Sequence, residues 1–339
     1  MKKLVPYIHD YFLPNGHKKT LHSFLKTLPN YVIDVKDGVE QINYSLALQV
    51  SRLCNFLVND GLLINTSYNP MICTENEYVS VSINGFDEPE KLQRDIAYGA
   101  YDFKFNGFAS VFEEFKESVV PIEGINSNDD HDIGTAFYIG DNMFVTAAHC
   151  VTNLERFNLL NGETPICLKE VWLAKDISPD IYDLAIIISD ETLSMRPFML
   201  DNFKVLDSVL VMGYPPIPGM NPVLISETAS ISTDVQRLMT KSAIGQVVTD
   251  STSYMSSLDY FIINARVKGG NSGSPVINEY GKVIGTVFEL PFDSQGGSQT
   301  GRYDIMGFGV CLPSKYIEQL CENKVSHKLK NEGKYYGYE

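Results

Sequence analysis

The sequence has little of what marks a membrane-spanning or nucleic-acid-binding protein. It contains no run of about 18 apolar residues, so it predicts no transmembrane helix. Lysine and arginine number 27 against 42 aspartate and glutamate residues, and the formal net charge of −15 comes with no basic block. Because nucleic-acid binding needs cations that neutralise phosphates, this balance argues against a nucleic-acid partner.

Cysteine is scarce and shows no metal-binding pattern. The six cysteines form no CxxC pair, and they are Cys54, Cys73, Cys150, Cys167, Cys311 and Cys321. In a chain of this size they predict separate reduced thiols rather than a disulfide framework. Pro6, His9 and Asp10 interrupt the apolar stretch near the N-terminus, so no secretion signal is predicted. We therefore expect a cytoplasmic protein.

Clusters with metal-ligand spacing are also missing. Carboxylates are plentiful, but no His/Asp group has the spacing of a metal site. We expect no metal and no organic cofactor. The one alternative is calcium bound at the polar stretch 126–132.

The chain has 339 residues, a length that suits two domains. In HKKTLHSFLKTL and YSLALQVSRLCNFLVNDGLLI, apolar residues recur every three or four positions, which predicts two helices. Asn59-Asp60-Gly61 is a stop signal for the second helix, and EYVSVSI alternates like a strand. We predict an α+β module over residues 1–117, whose order of elements resembles a winged-helix unit.

The pattern changes after the polar stretch 124–134. Short apolar segments with turns between them follow, among them TAFYIG, MFVTAA, DLAIIIS, VLVMGYP and FIINARV. They predict an all-β barrel or sandwich pair. SKYIEQLCENKV predicts an amphipathic helix that closes this region, and residues 326–339 are predicted to be a flexible tail.

A serine flanked by glycines stands between two apolar runs in VKGGNSGSPVIN, residues 267–278. Glycines permit backbone angles that other residues resist, and they leave main-chain N–H groups open to a ligand oxygen. Ser272 is therefore a candidate nucleophile beside an oxyanion site. The same composition also suits an ordinary tight turn.

A nucleophilic serine needs a base, and His149 is the best candidate. It lies in FVTAAHCV, at the end of an apolar strand, where an imidazole would be partly buried and held still. The alternative is a core histidine bonded to backbone. Asp183 is the last polar residue before the apolar run in IYDLAIIIS and is the candidate orienting acid, with Asp176, Asp180 and Asp190 as alternatives in turns.

Three motifs in this order, TAAHC, DLAII and GNSGSP, resemble those of the chymotrypsin-like serine proteases. GTAFYI, VLVMGYPP and GFGVCLPSKYI are similar to bacterial HtrA-like proteases and glutamyl endopeptidases. The resemblance covers residues 118–325. It implies the trypsin fold, which is a double six-stranded barrel with a C-terminal helix, and it implies serine endopeptidase activity on a protein or peptide substrate.

By this resemblance, Ser272 is the nucleophile, His149 the general base and then acid, and Asp183 its orienting acid. The backbone N–H groups of Gly270 and Ser272 form the oxyanion hole.

The sequence departs from the family pattern at three positions. Asn271 precedes the serine where digestive relatives carry aspartate, so activation by a newly cut N-terminus is not expected. Cys150 has no upstream cysteine at the usual partner position and is expected to be a free thiol. Val287 stands where many relatives have a serine that supports the aspartate.

The resemblance also implies a substrate pocket, for which the candidates are Arg266, Lys268, Val287, Phe288, Glu289 and Gly309. Arg266 or Lys268 would attract an acidic side chain, whereas Glu289 would attract a basic one. The alternative is that all three charges face solvent.

Three functions remain open from the sequence. The first is a cytoplasmic endopeptidase with one or few substrates, gated by assembly or by a regulatory protein that binds the N-terminal module. The resemblance loosely implies a bacterial stress or defence role. The second is a catalytically silent binding module on the protease fold. The third is a winged-helix DNA-binding regulator, which the excess of acids over bases in residues 1–120 disfavours.

Overall fold

The chain contains two compact units, Met1–Gly107 and Phe108–Glu339. The computed structural model describes residues 3–14, 19–36, 39–174, 183–215, 239–252, 258–267, 269–289 and 308–339. The sequence places the domain boundary later, after residue 117. The helix Phe108–Phe115 belongs to the second unit because Phe115 stacks on Phe198 with ring centroids 4.2 Å apart.

The first unit is a mixture of short helices and two hairpins. Its elements are α1 (Val5–Tyr11), α2 (Leu21–Leu25), β1 (Val32–Lys36), β2 (Val39–Ile42), α3 (Tyr44–Asn59), β3 (Leu63–Ser67), β4 (Glu77–Ser80), α4 (Pro89–Tyr98) and α5 (Ala100–Asn106), with 3₁₀ turns at Cys73–Glu75 and Ile83–Gly85. β1 pairs with β2 and β3 pairs with β4, both antiparallel. The two predicted helices correspond to α2 and α3 and the predicted strand EYVSVSI to β4, whereas α1 and the hairpin β1–β2 were not predicted. The resemblance to a winged-helix unit stays a prediction.

Helix α3 is built as its sequence periodicity predicts. The Asn43 side chain accepts a hydrogen bond from the N–H of Leu46 and caps the N-terminus. Val50 and Leu57 are buried on one face in the core of the unit. The helix ends at Asn59, and Gly61 follows with φ +78°, so the predicted stop is confirmed.

The second unit is mainly β-structure. Its elements are α6 (Phe108–Phe115), β5 (Val119–Ile125), β6 (His131–Gly140), β7 (Met143–Thr146), α7 (His149–Thr152), β8 (Arg156–Asn161), β9 (Thr164–Pro165), β10 (Leu168–Leu173), β11 (Ala185–Ser189), β12 (Ser208–Gly213), β13 (Lys241–Thr252), β14 (Asp259–Ile263), β15 (Pro275–Asn278), β16 (Val283–Glu289), β17 (Gly309–Pro313), α8 (Lys315–Glu322), β18 (Ser326–Glu332) and β19 (Tyr335–Tyr338), with a 3₁₀ turn at Lys116–Ser118.

The strands form two closed barrels, which confirms the predicted double-barrel fold. In the first barrel the strand order is β19-β18-β10-β11-β7-β6-β5-β8, the pairing of β19 with β8 closes it, and β9 extends the sheet from β8. In the second barrel the order is β12-β13-β14-β17-β16-β15. Each barrel has its own buried apolar core. The second barrel has the six strands expected, and the first has eight.

The two additional strands correct the prediction of a flexible tail over residues 326–339. These residues form the hairpin β18–β19, which enters the first barrel between β10 and β8. Leu329 and Tyr336 are only 8% and 6% exposed and pack in the barrel core. The apolar residues of this segment are few and lie among charged residues. The composition of residues 326–339 therefore resembles that of a flexible tail.

The predicted C-terminal helix of the protease region is present as α8. Its apolar face buries Tyr316, Ile317 and Leu320. Among the described residues, no helix is both long enough and apolar enough to cross a membrane.

Candidate active site

His149 and Asp183 lie together at one end of the first barrel. β7 ends at Thr146, and His149 follows at the first position of α7. β11 pairs antiparallel with β7, with Ala185 opposite Thr146, so the residues that precede β11 lie beside the end of β7. The pairing register therefore brings the Asp183 carboxylate to His149.

The Asp183 carboxylate holds His149 at two points. Oδ1 accepts a hydrogen bond from the backbone N–H of His149 at 2.8 Å, and Oδ2 lies 2.5 Å from Nδ1 of the ring. An ionised carboxylate can only accept hydrogen bonds, so Nδ1 carries the proton and Nε2 of a neutral ring keeps a lone pair. This is the tautomer that a general base acting through Nε2 needs.

The surroundings of His149 change its pKa. Partial burial lowers the pKa, whereas the hydrogen bond with Asp183 and the contact with the Cys150 thiol raise it. Burial is the largest single effect, but the raising effects together exceed it, so the pKa of His149 lies above its ordinary 6.5. The protonated imidazole that forms when the ring accepts a proton is thus stabilised.

The other aspartates considered from the sequence do not share this position in the described structure. Asp190 follows β11 at its far end and is exposed, and its N–H donates to the Cys167 carbonyl at 2.9 Å. Asp176 and Asp180 lie outside the described residues.

Ser272 lies in the loop between β14 and β15, beside the helical turn that carries His149. The Ser272 carbonyl accepts a hydrogen bond from the N–H of Thr135 at 3.0 Å and one from Sγ of Cys150 at 3.5 Å. Cys150 directly follows His149, so the serine loop and the histidine turn are neighbours. Ser272 is partly exposed, as a group that must reach a substrate has to be.

Two glycines of this loop adopt conformations that other residues resist. Gly270 and Gly273 have φ of +86° and +84°. A Cβ on Gly270 would lie 2.7 Å from the Tyr214 carbonyl oxygen, and one on Gly273 would lie 2.1 Å from the Thr135 carbonyl oxygen. The loop therefore needs glycine at both positions, on grounds of both conformation and space.

The backbone N–H groups of Gly270 and Ser272 have no hydrogen-bond acceptor within the described part of the chain. The neighbouring amides are used, since Gly273 donates to the Val287 carbonyl at 2.8 Å and Ser274 to the Asn271 carbonyl at 2.9 Å. Unused amides beside a serine can bind the negative oxygen of a tetrahedral intermediate.

The candidate pocket residues are divided between buried apolar positions and an exposed charge. Val287 is 2% exposed, Gly309 is buried, and Phe288 is partly exposed. A Cβ on Gly309 would lie 2.6 Å from Cγ2 of Val267, so that side chain fills the space beside the glycine. Arg266 is exposed. Lys268 and the Glu289 side chain lie outside the described residues.

Sequence reasoning missed Thr135 and Tyr214. The Thr135 hydroxyl donates to the Gly270 carbonyl at 2.7 Å and accepts the N–H of Tyr214 at 3.1 Å. Both residues lie inside motifs that carried the family resemblance, GTAFYI and VLVMGYPP. A polar residue in an otherwise apolar strand was the available signal.

The polar stretch considered for calcium forms a tight turn. The Asn126 side chain accepts hydrogen bonds from the N–H groups of Asn128 and Asp130. Within the described ranges, no group of three or more His, Cys, Asp or Glu side chains is arranged to hold a metal ion.

Residues 134–285 match the family described as trypsin-like peptidase domain. The matched region lies within the second unit and includes strands of both barrels.

Among curated proteins, the chain is 27% identical over 208 residues to Protease Do-like 2, chloroplastic, of Arabidopsis thaliana, which covers 60% of this chain and 29% of that protein. It is 24% identical over 257 residues to the Serine protease HtrA-like of Staphylococcus epidermidis, covering 69% of this chain and 40% of that one. The chain spans less than half the length of these relatives.

Solved structures with a similar fold include the Rv3671c protease of M. tuberculosis in its active form, with a TM-score of 0.47 and 21% identity over 66% of this chain and 87% of that one. Another is the HtrA-type protease AlgW with a tripeptide, with a TM-score of 0.45 and 16% identity over 64% of this chain and 62% of that one.

Proposed function

We propose that this chain is a serine endopeptidase that acts through Ser272, His149 and Asp183. The observation that carries the proposal is the pair of hydrogen bonds that the Asp183 carboxylate makes with the backbone N–H and the ring of His149. This pair lies beside the loop that contains Ser272. The pair of hydrogen bonds fixes both the orientation and the tautomer of the ring, which is what a general base needs.

In the proposed reaction, the Ser272 hydroxyl oxygen attacks the carbonyl carbon of a peptide bond while Nε2 of His149 takes its proton. The N–H groups of Gly270 and Ser272 bind the oxyanion. The C–N bond then breaks, and His149 returns the proton to the leaving amine. Water attacks the acyl-enzyme, His149 takes its proton, and the carboxylic acid product leaves as the serine hydroxyl is restored.

A fluorophosphonate probe, which reacts with activated serines, tests the assembled site. We expect covalent labelling of the natural chain, and loss of labelling in Ser272→Ala and His149→Ala. A labelled Ser272→Ala variant would contradict the assignment of the nucleophile. Absence of labelling both in purified protein and after addition of cell lysate would contradict the enzyme and favour a catalytically silent binding module.

We further propose that the protease is gated by a protein partner that binds the first unit and that its substrates are one or few proteins. Support comes from apolar side chains on the hairpin β1–β2 and the start of α3: Ile33 and Val35 are 66% and 60% exposed, and Val39 and Tyr44 are 67% and 77% exposed. These exposed apolar side chains lie close together in the sequence and could be covered by a protein partner.

Unfolded casein provides the test of gating. The purified natural chain is expected to react with the fluorophosphonate probe but to degrade casein only slowly. Rapid and complete degradation of casein with no additive would contradict gating while leaving the catalytic assignment intact.

A cytoplasmic location, within a bacterial stress or defence pathway, is part of the same proposal. The six cysteines are all unpaired, and Cys167 is exposed. An exposed free thiol suits a reducing compartment. Alkylation of protein taken directly from cells should modify all six thiols after unfolding without a reductant, and recovery of a disulfide would contradict the proposed location.

A further inference from the structure

The Thr135 hydroxyl occupies a fully enclosed position between two backbone groups of the second barrel. Thr135 lies on β6 and is 0% exposed. Its Oγ1 lies 3.1 Å from the backbone nitrogen of Tyr214 and 2.7 Å from the carbonyl oxygen of Gly270. An amide N–H can only donate and a carbonyl can only accept, so the hydroxyl accepts from Tyr214 and donates to Gly270.

The backbone of Thr135 holds the same loop at a second point. Its N–H donates to the Ser272 carbonyl at 3.0 Å, and its own carbonyl accepts the hydroxyl of Thr146 at 2.7 Å. One residue of the first barrel thus binds the carbonyls on both sides of Asn271, at Gly270 and at Ser272.

The peptide planes of the loop are held individually. The Asn271 carbonyl accepts from the Ser274 N–H at 2.9 Å, which orients the Ser272 N–H in the same peptide plane. The N–H of Gly270 has no such hydrogen bond among the described residues, and nothing lies within 4 Å of the position that a Cβ on Gly269 would take. The direction of the Gly270 N–H depends on the backbone angles φ and ψ of Gly270. The Thr135 hydroxyl fixes the peptide plane that follows, between Gly270 and Asn271, through its hydrogen bond to the Gly270 carbonyl.

The groups around the Thr135 hydroxyl are closely packed. A Cβ on Gly213 would lie 2.2 Å from Oγ of Ser274, 2.8 Å from Oδ1 of Asn271 and 2.9 Å from Oγ1 of Thr135. In Thr135→Val a methyl group takes the place of the hydroxyl, so no space is left there for a water molecule. Without the hydroxyl, the Gly270 carbonyl would be buried without a partner, and rotation of the peptide would relieve that cost.

We propose that Thr135 is a positioning residue of the oxyanion hole, which sets the direction of the Gly270 N–H through the hydrogen bond from its hydroxyl to the Gly270 carbonyl. The inference rests on the proposed serine endopeptidase function. It makes the geometry of the oxyanion hole depend on contact between the two barrels. Thr135 itself touches neither the substrate nor the reacting atoms.

The test compares Thr135→Val and Thr135→Ala, which remove the hydroxyl, with Thr135→Ser, which retains it. The readouts are kcat and KM for p-nitrophenyl acetate and the rate of fluorophosphonate labelling in the full chain. Because loss of one oxyanion donor lowers kcat about 10²–10³-fold, a misdirected donor should lower it at least about 10-fold, with KM within about 2-fold. Thr135→Ser should remain within about 3-fold of the natural chain.

Ser314→Ala is the matched control, because its buried hydroxyl also donates to a backbone carbonyl, that of Asp201 at 2.6 Å, away from the loop. It should change kcat less than about 2-fold while lowering the midpoint of urea unfolding as much as Thr135→Ser or more.

The outcomes separate the two proposals. A natural chain that neither labels nor hydrolyses the ester, alone or with added cell lysate, overturns the proposed function. An active natural chain with Thr135→Val or Thr135→Ala of equal kcat overturns the role of Thr135. Loss of activity in Thr135→Ser equal to that in Thr135→Val also overturns it, because the hydroxyl would then not be the cause. If Thr135→Val does not fold, Thr135→Ala and Thr135→Ser decide.

Discussion

At Gly270 and Gly273 the identity of single residues decides whether the loop can form at all. Both have positive φ, and backbone oxygens occupy the place of any Cβ. Gly162 also has a positive φ, +62°, but nothing lies within 4 Å of its Cβ position. Backbone strain and steric exclusion can therefore be separated by experiment in this one chain.

Gly273→Ala should abolish fluorophosphonate labelling and destabilise the second unit. Strain at a positive φ costs about 1–3 kcal/mol, and the Thr135 carbonyl at 2.1 Å adds a clash with backbone that cannot move aside easily. Gly162→Ala, the control, should lose only about 1 kcal/mol and keep full labelling. Urea unfolding and labelling rates measure both, and equal effects of the two substitutions would contradict the role of crowding.

The pH dependence of the reaction follows from the His149–Asp183 pair. Only neutral His149 can take the serine proton, and its pKa lies above 6.5, so labelling should rise with pH and reach half its maximum above pH 6.5. Asp183→Asn removes the charge that raises the pKa, so the midpoint should move down in pH, and the maximal rate should fall by roughly 10⁴-fold. Labelling rates from pH 5 to 10 measure both, and an unchanged midpoint would contradict the assigned partner.

At the scale of elements, the hairpin β18–β19 makes the first barrel depend on the end of the second unit's sequence. β18 pairs with β10 and β19 closes on β8, so strands from distant parts of the chain complete one barrel. The hairpin is covalently continuous with α8, which follows the last strand of the second barrel. Both barrels are thus tied together by chain connectivity as well as by Thr135.

Leu329→Ala should destabilise the second unit by about 2–5 kcal/mol, because it removes a buried side chain from the barrel core. Lys330→Ala is the control on the same strand, with 66% of its side chain exposed, and should change stability by no more than about 0.5 kcal/mol. Urea unfolding followed by tryptophan fluorescence is suitable, since Trp172 lies on the neighbouring strand β10. A neutral Leu329→Ala would show that the hairpin does not support the barrel.

At the scale of the whole molecule, the two units have separate apolar cores. Leu57 is 1% exposed in the core of the first unit, and Ile187 is 0% exposed in the core of the first barrel. Units with their own cores unfold as separate cooperative transitions unless a large interface couples them.

Calorimetry of the full chain should therefore resolve more than one transition. Leu57→Ala should lower the Tm of one transition by several degrees and leave the other in place, and Ile187→Ala should do the reverse. Each variant is the control for the other. A single transition that both substitutions shift equally would contradict independent folding of the units.

Much of the fold could be predicted from sequence because its signals are local. The helical period and the Asn59-Asp60-Gly61 stop gave α3 its limits, and alternation with turns predicted the β-rich second unit. The hairpin β18–β19 was not predicted, because its burial depends on strands β8 and β10, which are far away in the chain. The hairpin β1–β2 was not predicted, because its side chains are mostly exposed and do not alternate clearly between apolar and polar.

For the site, the sequence by itself determined which residues carry suitable chemistry: His149 after an apolar strand, an acid before another, and Ser272 among glycines. Only the tertiary structure decided which groups meet. The register of β7 against β11 brings Asp183 to His149, and packing of β6 against the serine loop brings in Thr135. Side-chain chemistry is a local property of the chain, whereas hydrogen bonds between distant strands exist only after the barrels have closed.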